Sequence, residues 1–266
     1  MFPFNTVQGK GILLAWLFIS GMMLLGCSTF EKNAMSQVKN SQTESSVPAW
    51  WSPELRLNSL SEIDERLDEP FDDGPYEVTR YQAEKESLTG KPAGVARMTN
   101  CASYLSLIKK GFVPAGSEWT VLLERGASCN TLAALKVHRP ANVSYLKTFR
   151  LDQSAPEILQ PQCAAIISND DMKSVAAAEG KGLSWKQYEP DQRANIEAGK
   201  LVVEGDGWKI KLELYARGDF DGDGIEDIIL KKQSIMTEGT YHNIGLLILT
   251  RYREGEILKV IREIPY

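Results

Sequence analysis

The pattern of apolar and polar positions divides the chain into two parts. Between Asn58 and Gly180 the apolar residues mostly recur at three- and four-residue spacing, as helices require. Leu60, Ile63 and Leu67 follow a start signal at Asn58, Ser59 or Ser61, and Glu69-Pro70-Phe71-Asp72-Asp73-Gly74-Pro75 stops them. Tyr76 to Gly94 is polar and ambiguous. Val95 to Lys110 reads as a helix with Gly111 as its C-cap. Ser117 to His138 reads as one helix or two, with Gly126 as the break and Pro140 as the end. Ser144 to Leu151 predicts a short helix and Cys163 to Ile167 a short buried strand. Asp170 to Ala178 predicts a helix capped by Asn169 or Asp170 and closed at Gly180.

From Lys200 the period becomes two. Lys200–Val203, Trp208–Tyr215, Glu226–Lys232, Ile244–Tyr252 and Ile257–Ile264 read as strands, with turn signals at Glu204-Gly205-Asp206-Gly207 and Glu254-Gly255. Sequential strands with short turns predict an antiparallel meander over 199–266. One of its faces should pack on a mainly helical part, 49–198, in an α+β fold. The sequence shows no internal repeat.

Residues 1–26 have a different character. Lys10 is their one charge, and Ile12 to Leu25 is apolar apart from Ser20 and Gly21. The run is shorter than the ~20 residues of a membrane span and has the layout of a secretory signal. It ends in Leu24-Leu25-Gly26-Cys27, which resembles the lipobox of bacterial lipoproteins. The resemblance implies cleavage before Cys27, lipidation of its sulfur and amino terminus, and a membrane anchor through those acyl chains. Ser28, where an Asp would retain the protein, implies sorting to the periplasmic side of the outer membrane. The alternative is a plain signal peptide or a marginal anchor helix. Residues 27–48, rich in Ser, Asn, Gln, Lys and Glu, read as a flexible tether. Order is expected from Ala49-Trp50-Trp51, whose Trp pair either docks on the domain or a partner, or joins the core.

The densest chemistry lies in the second half. Asp219-Phe220-Asp221-Gly222-Asp223-Gly224-Ile225-Glu226-Asp227 puts five carboxylates in nine residues. Such crowding on a tight turn is costly unless a cation neutralises it. Calcium takes 6–8 oxygens at about 2.3–2.6 Å. Asp219, Asp221 and Asp223 can each offer a carboxylate oxygen, Ile225 its backbone carbonyl, and Asp227 an oxygen directly or through water, with Gly224 making the sharp turn. The spacing resembles the first nine positions of an EF-hand loop, but Leu230 stands where that loop has its bidentate Glu. Flanked by strand patterns, the loop resembles instead the calcium loops of FG-GAP (integrin-propeller) repeats, over roughly residues 217–232. One copy implies no propeller. The alternative is a solvated acidic turn.

The formal charge is −5, and loss of Lys10 with the signal takes it to −6. This argues against nucleic acid as a partner. Beyond the inner membrane thiols are oxidised. With Cys27 lipidated, Cys101, Cys129 and Cys163 allow one disulfide. Cys101–Cys129 is the pairing chosen, closing a loop worth about 3–4 kcal/mol, although sequence does not set connectivity.

Catalytic signals are sparse. The two histidines, His138 and His242, lie in no recognisable motif, and three S-x-x-K triplets (Ser36–Lys39, Ser106–Lys109, Ser144–Lys147) are scattered. The expectation is a non-enzymatic, calcium-stabilised lipoprotein that binds another protein, an immunity-type inhibitor of a periplasm-delivered toxin being one form. An envelope assembly or structural factor, or a calcium-dependent hydrolase, are the other readings.

Overall fold

Ile228-Ile229-Leu230 and Leu246-Leu247-Ile248-Leu249 are apolar at every position, and this dictates the architecture. Successive side chains of a strand point to opposite faces, so a strand without polar alternation must be covered on both sides. The computed structural model describes residues 46–81, 92–114 and 118–265. It has an α+β fold in which residues 43–266 form one compact unit.

Its centre is an antiparallel seven-stranded sheet. β5 (Arg193–Glu197), β6 (Lys200–Gly205), β7 (Trp208–Gly218), β8 (Asp227–Met236), β9 (His242–Thr250) and β10 (Lys259–Pro265) follow one another in chain order. The seventh strand, β1 (Trp50–Trp51), pairs with Ala216 and Arg217, beyond the stretch of β7 that β6 occupies. Ile228 faces Leu249, Ile229 faces Ile248 and Leu230 faces Leu247 across β8 and β9.

Each sheet face has its own core. On one, Tyr215, Ile229, Leu246 and Ile248 pack with Leu55, Tyr104, Leu122 and Leu135. Those come from the segment after β1, from α2 (Cys101–Lys109) and from the long α3 (Trp119–Val137), with α1 (Ile63–Asp68) beside them. A disulfide joins Cys101 of α2 to Cys129 of α3, Cα atoms 5.0 Å apart. On the other face, Ile228, Leu230, Leu247 and Leu249 pack with Phe149, Leu159, Cys163 and Trp185. This second cover is chain without long helices, apart from α4 (Asn169–Gly180) and the single-turn α5 (Trp185–Tyr188). One face of the meander packs on helices, and the other face, for which the sequence pattern predicts no cover, is buried as well.

The part 49–198 is less helical than its pattern suggests. It contains a second antiparallel sheet, β3 (Pro92–Met98)–β2 (Tyr76–Tyr81)–β4 (Val113–Pro114), and its last residues supply β5. The helix expected over Val95–Lys110 begins only at Cys101. Asn100 caps it reciprocally with Ser103, whose N–H donates to Asn100 Oδ1 (2.8 Å) while its Oγ accepts from Asn100 N–H (3.0 Å). Val95 is exposed and Met98 buried, an alternation that belongs to β3.

Gly126 does not break α3. A Cβ there would stand 2.2 Å from Tyr104 Oη, so the glycine is where α2 and α3 come close. Ser144 to Leu151 is a turn, because the Ser144 hydroxyl bonds the Glu226 carboxylate and accepts from Leu146 N–H. In place of a strand at Cys163–Ile167, Pro161 opens a single 3-10 turn ending at Cys163. The cap of α4 is Ser168, in place of the expected Asn169 or Asp170.

At the N-terminal side, Val47 already pairs with Ala141, so order starts within the expected tether 27–48. Trp51 is half-buried and donates its indole N–H to Leu57 O (2.6 Å), while Trp50 is exposed. Cys27, the lipobox and the signal lie outside the described residues. Among the described residues no helix is long and apolar enough to cross a membrane.

Candidate metal centre

The acidic loop joins β7 to β8, and its position follows from local chemistry. Phe220 is apolar and buried, so it pins the start of the loop into the core. Asp219 is 2% exposed, and its backbone pairs in both directions with Arg139 (3.0 and 3.3 Å). The Gly224 carbonyl accepts from the N–H groups of Asn142 (2.8 Å) and Val143 (3.1 Å), and Glu226 N–H donates to Val143 O (2.8 Å). The loop is thus stitched along its length to residues 139–143.

Inside the loop the carboxylates fold the backbone around themselves. Asp219 accepts from Gly222 N–H on Oδ1 (2.6 Å) and from Gly224 N–H on Oδ2 (3.0 Å). Asp221 accepts from Asp223 N–H (3.0 Å), and Asp223 from Ile225 N–H (2.7 Å). Gly222 and Gly224 take positive φ values of 87° and 84°, which a side chain would resist. A Cβ on Gly224 would also come within 3.3 Å of Asn142 Nδ2.

Asp219, Asp221 and Asp227 present oxygens that all lie within 4.8 Å of one another. Ligands on opposite sides of an ion bound at about 2.3–2.6 Å are separated by about 4.6–5.2 Å, so this spread suits a calcium-sized cation. Asp223 lies outside that set, with its Oδ1 turned to the Ile225 N–H. Glu226 is buried but faces away, held by the Ser144 hydroxyl and the Arg217 guanidinium at 4.0 Å.

Asp227 is the acid whose surroundings demand a partner. It is fully buried, and Oδ2 accepts from Phe220 N–H (2.9 Å). Neither Oδ1 nor the Oγ1 of Thr250, its cross-strand neighbour, has a hydrogen-bond partner of good geometry, although Thr250 stands close enough to favour the charged carboxylate. Burial pushes the carboxyl up to about 7 against the opposing effect of Phe220 N–H and Thr250, and the negative charges of Asp221 and Asp223 add to the rise. Burial also raises Asp223, with Asp221 and Asp219 adding to it. A cation among these groups would remove the repulsion and fill the place at Oδ1. The sequence signal for the special standing of Asp227 is its place as the first residue of an apolar strand.

The other candidates have local roles. His138 Nδ1 lies 2.5 Å from Leu135 O at the end of α3, and His242 Nε2 lies 2.7 Å from Gln233 Nε2 within the sheet. Asp72 and Asp73 of the earlier acidic turn are bound by Arg56 (3.2 Å) and Arg125 (2.8 Å). Cys163 is free and buried, and burial pushes its thiol up to about 12, far from a reactive thiolate.

Exposed apolar side chains rim the loop. Trp50 faces Arg217 across β1–β7, and Val143 bridges to Ile225. Tyr252 lies two residues past the end of β9, and partial burial pushes its hydroxyl up, with the charges of Asp221, Asp223 and Asp227 adding to the rise. All three are exposed. Comparison with protein-family models, with curated proteins and with solved structures finds no match.

Proposed function

We propose that this chain is a calcium-stabilised, lipid-anchored protein on the periplasmic side of the outer membrane that works by binding another protein. The observation that carries the metal is Asp227, fully buried with an unpartnered oxygen beside Asp219 and Asp221. In the proposed cage Asp219, Asp221 and Asp227 supply carboxylate oxygens, with Asp223 and the Ile225 carbonyl completing the shell. Such a cation neutralises the loop and holds it against residues 139–143. A cage of this kind is coordinatively filled and pins a loop rather than activating water. The anchor rests on Cys27 and the apolar run before it.

Protein binding is supported by the rim. Trp50, Val143 and Tyr252 put exposed apolar area beside the loop, and aromatic residues of this kind are enriched at protein interfaces. An immunity-type inhibitor suits this arrangement, since tethering raises the effective concentration where a delivered toxin arrives.

The metal is tested by melting the full-length protein in calcium and in EDTA. Calcium should raise the melting temperature, and Asp221→Ala, which changes the exposed member of the triad, should abolish the rise. Equal melts in both buffers would refute the cage. The binding role is tested by affinity capture from periplasmic extract of toxin-secreting cells, with and without EDTA. One dominant partner, weakened by Trp50→Ala, is expected. Lipid labelling that persists in Cys27→Ser would refute the anchor.

A further inference from the structure

A second site lies on the irregular side of the sheet, away from the acidic loop. A cavity of about 350 Å³ opens between α4 and the face formed by β8, β9 and β10. This is within the size range of small-molecule sites. Its floor is the continuation of the buried apolar face: Leu247, then Gly245 and Asn243 at alternate positions of β9, and Lys232 and Ser234 of β8 opposite them. Gly245 is the reason the floor is open. It sits inside a strand, where glycine weakens pairing and often marks the close approach of another group. A Cβ there would meet only Ile264 O at 3.5 Å, an ordinary contact, so the backbone does not require glycine.

Two polar groups in this cavity are incompletely satisfied. Lys232 is buried, and its ammonium donates to Gln162 O (2.9 Å) and Ala164 O (2.6 Å). A lysine has three protons to donate, and it makes no ion pair among the described residues. Burial lowers its proton affinity and outweighs the opposing pull of Glu263 and Glu189, which lie near it but outside salt-bridge distance. On the helix side, Glu179 of α4 has a buried Oε1 with no partner. The wall between them is apolar, made by Met172 and Val175 of α4 and by Ile166. Lys232, with a proton still to donate, the unpartnered Glu179 oxygen and the apolar wall face the same space, and Glu263 of β10, which accepts from Gln162 Nε2 (3.4 Å), lines it as a second acid.

We propose that this cavity binds a small zwitterion of the α-amino-acid class: its carboxylate on Lys232 Nζ, its ammonium on Glu179, and an apolar side chain against Met172, Val175 and Leu247. Ser234 and Asn243 supply further hydrogen bonds to the ligand head group. A ligand bearing both charges completes both residues at once, whereas a simple anion or cation leaves one of them buried and unmet. The site shares no residue with the acidic loop, so it stands or falls separately from the metal.

The test is calorimetric titration of the full-length protein with L-leucine, L-methionine and L-valine, and with two truncated probes. Those probes are 4-methylpentanoate, which lacks the ammonium of leucine, and 3-methylbutylamine, which lacks its carboxylate. At least one of the amino acids should bind saturably at millimolar concentration or below, and each truncated probe should bind about tenfold or more weakly than leucine. Lys232→Met should abolish binding. Gly245→Val, which fills the floor beside Lys232 without removing either charge, should abolish it too. That second variant keeps the test decisive if loss of Lys232 impairs folding. No saturable heat from any of the three amino acids would overturn the proposal. So would truncated probes that bind as well as leucine, or undiminished binding in folded Gly245→Val.

Discussion

The two layers that cover the sheet are built by different means. One is regular: α2 and α3 cross at a glycine, are joined by a disulfide and bury a continuous apolar stripe. The other is held by single residues: Phe149, Leu159 and Trp185 are fully buried from turns and one-turn helices, and Lys232 donates to two carbonyls of the covering chain. Regular helices fill a sheet face evenly. Irregular chain covers it unevenly, and it is there that the cavity beside Lys232 lies. The same irregular chain, through residues 139–143, also holds the acidic loop. Both candidate sites therefore border the part of the molecule with the least repetitive structure, as expected where backbone conformation is free to place particular side chains.

This contrast can be tested at its strongest point first. Trp185 is fully buried, its ring centroid lies 6.3 Å from that of Trp208, and its indole N–H donates to Glu189 (2.7 Å). Trp185→Ala should cost about 3–5 kcal/mol in chemical denaturation. Hydrogen exchange should show the loss in the second layer before α3; equal loss in both layers would refute their independence. Next, Cys101→Ser with Cys129→Ser should lower stability by about 3 kcal/mol and speed exchange in α2 and α3, with the irregular layer little affected.

Gly126→Ala sharpens the comparison within the regular layer. A helix gains about 1 kcal/mol from alanine over glycine, but the clash with Tyr104 should cost about 1–3 kcal/mol. The net change in denaturation midpoint should be a decrease. An increase would show that the two helices can move apart freely.

The smallest effect concerns α4, the wall of the cavity. Asp171 accepts from Ile167 N–H (3.0 Å) and Ser168 N–H (2.8 Å), and these bonds hold its carboxyl below the ordinary value of 3.8. A carboxyl depressed in the folded state contributes stability above its unfolded pKa and loses it as pH falls through the folded one. Asp171→Asn should therefore flatten the decline of stability below about pH 4, and Ser168→Ala should cost about 1 kcal/mol at neutral pH.

The legibility of the chain follows the same division. Period two and glycine turns made the meander readable, because each strand from β6 to β10 pairs with its chain neighbour. β5 was not readable: Arg193-Ala194-Asn195-Ile196-Glu197 is mostly exposed on a sheet edge and has no buried alternation to display. Gly126 read as a break because packing against Tyr104, a residue 22 positions earlier, has no local signature. Ser144 to Leu151 read as a helix because its competing bond, to Glu226, is 82 positions away. In the acidic loop the carboxylate spacing was visible, whereas the grouping of Asp219 and Asp221 with Asp227, and the turning of Asp223 to its own backbone, depend on folding. Lys232 and Glu179 were invisible as a pair, since strand and helix bring them to one cavity from 53 positions apart.

The pairing of β1 beside the acidic loop has a mechanical consequence. Tension on the chain at residue 46 would be carried first by the Val47–Ala141 hydrogen bond (2.8 Å), then by the two-residue ladder to β7 and the Ser52–Tyr215 bond (2.8 Å). Ala141 adjoins Asn142, which donates to the Gly224 carbonyl, and Tyr215 precedes the loop by four residues. A pull would thus strain both ends of the acidic turn together, and a cation gripping that turn would act as the rivet of the assembly.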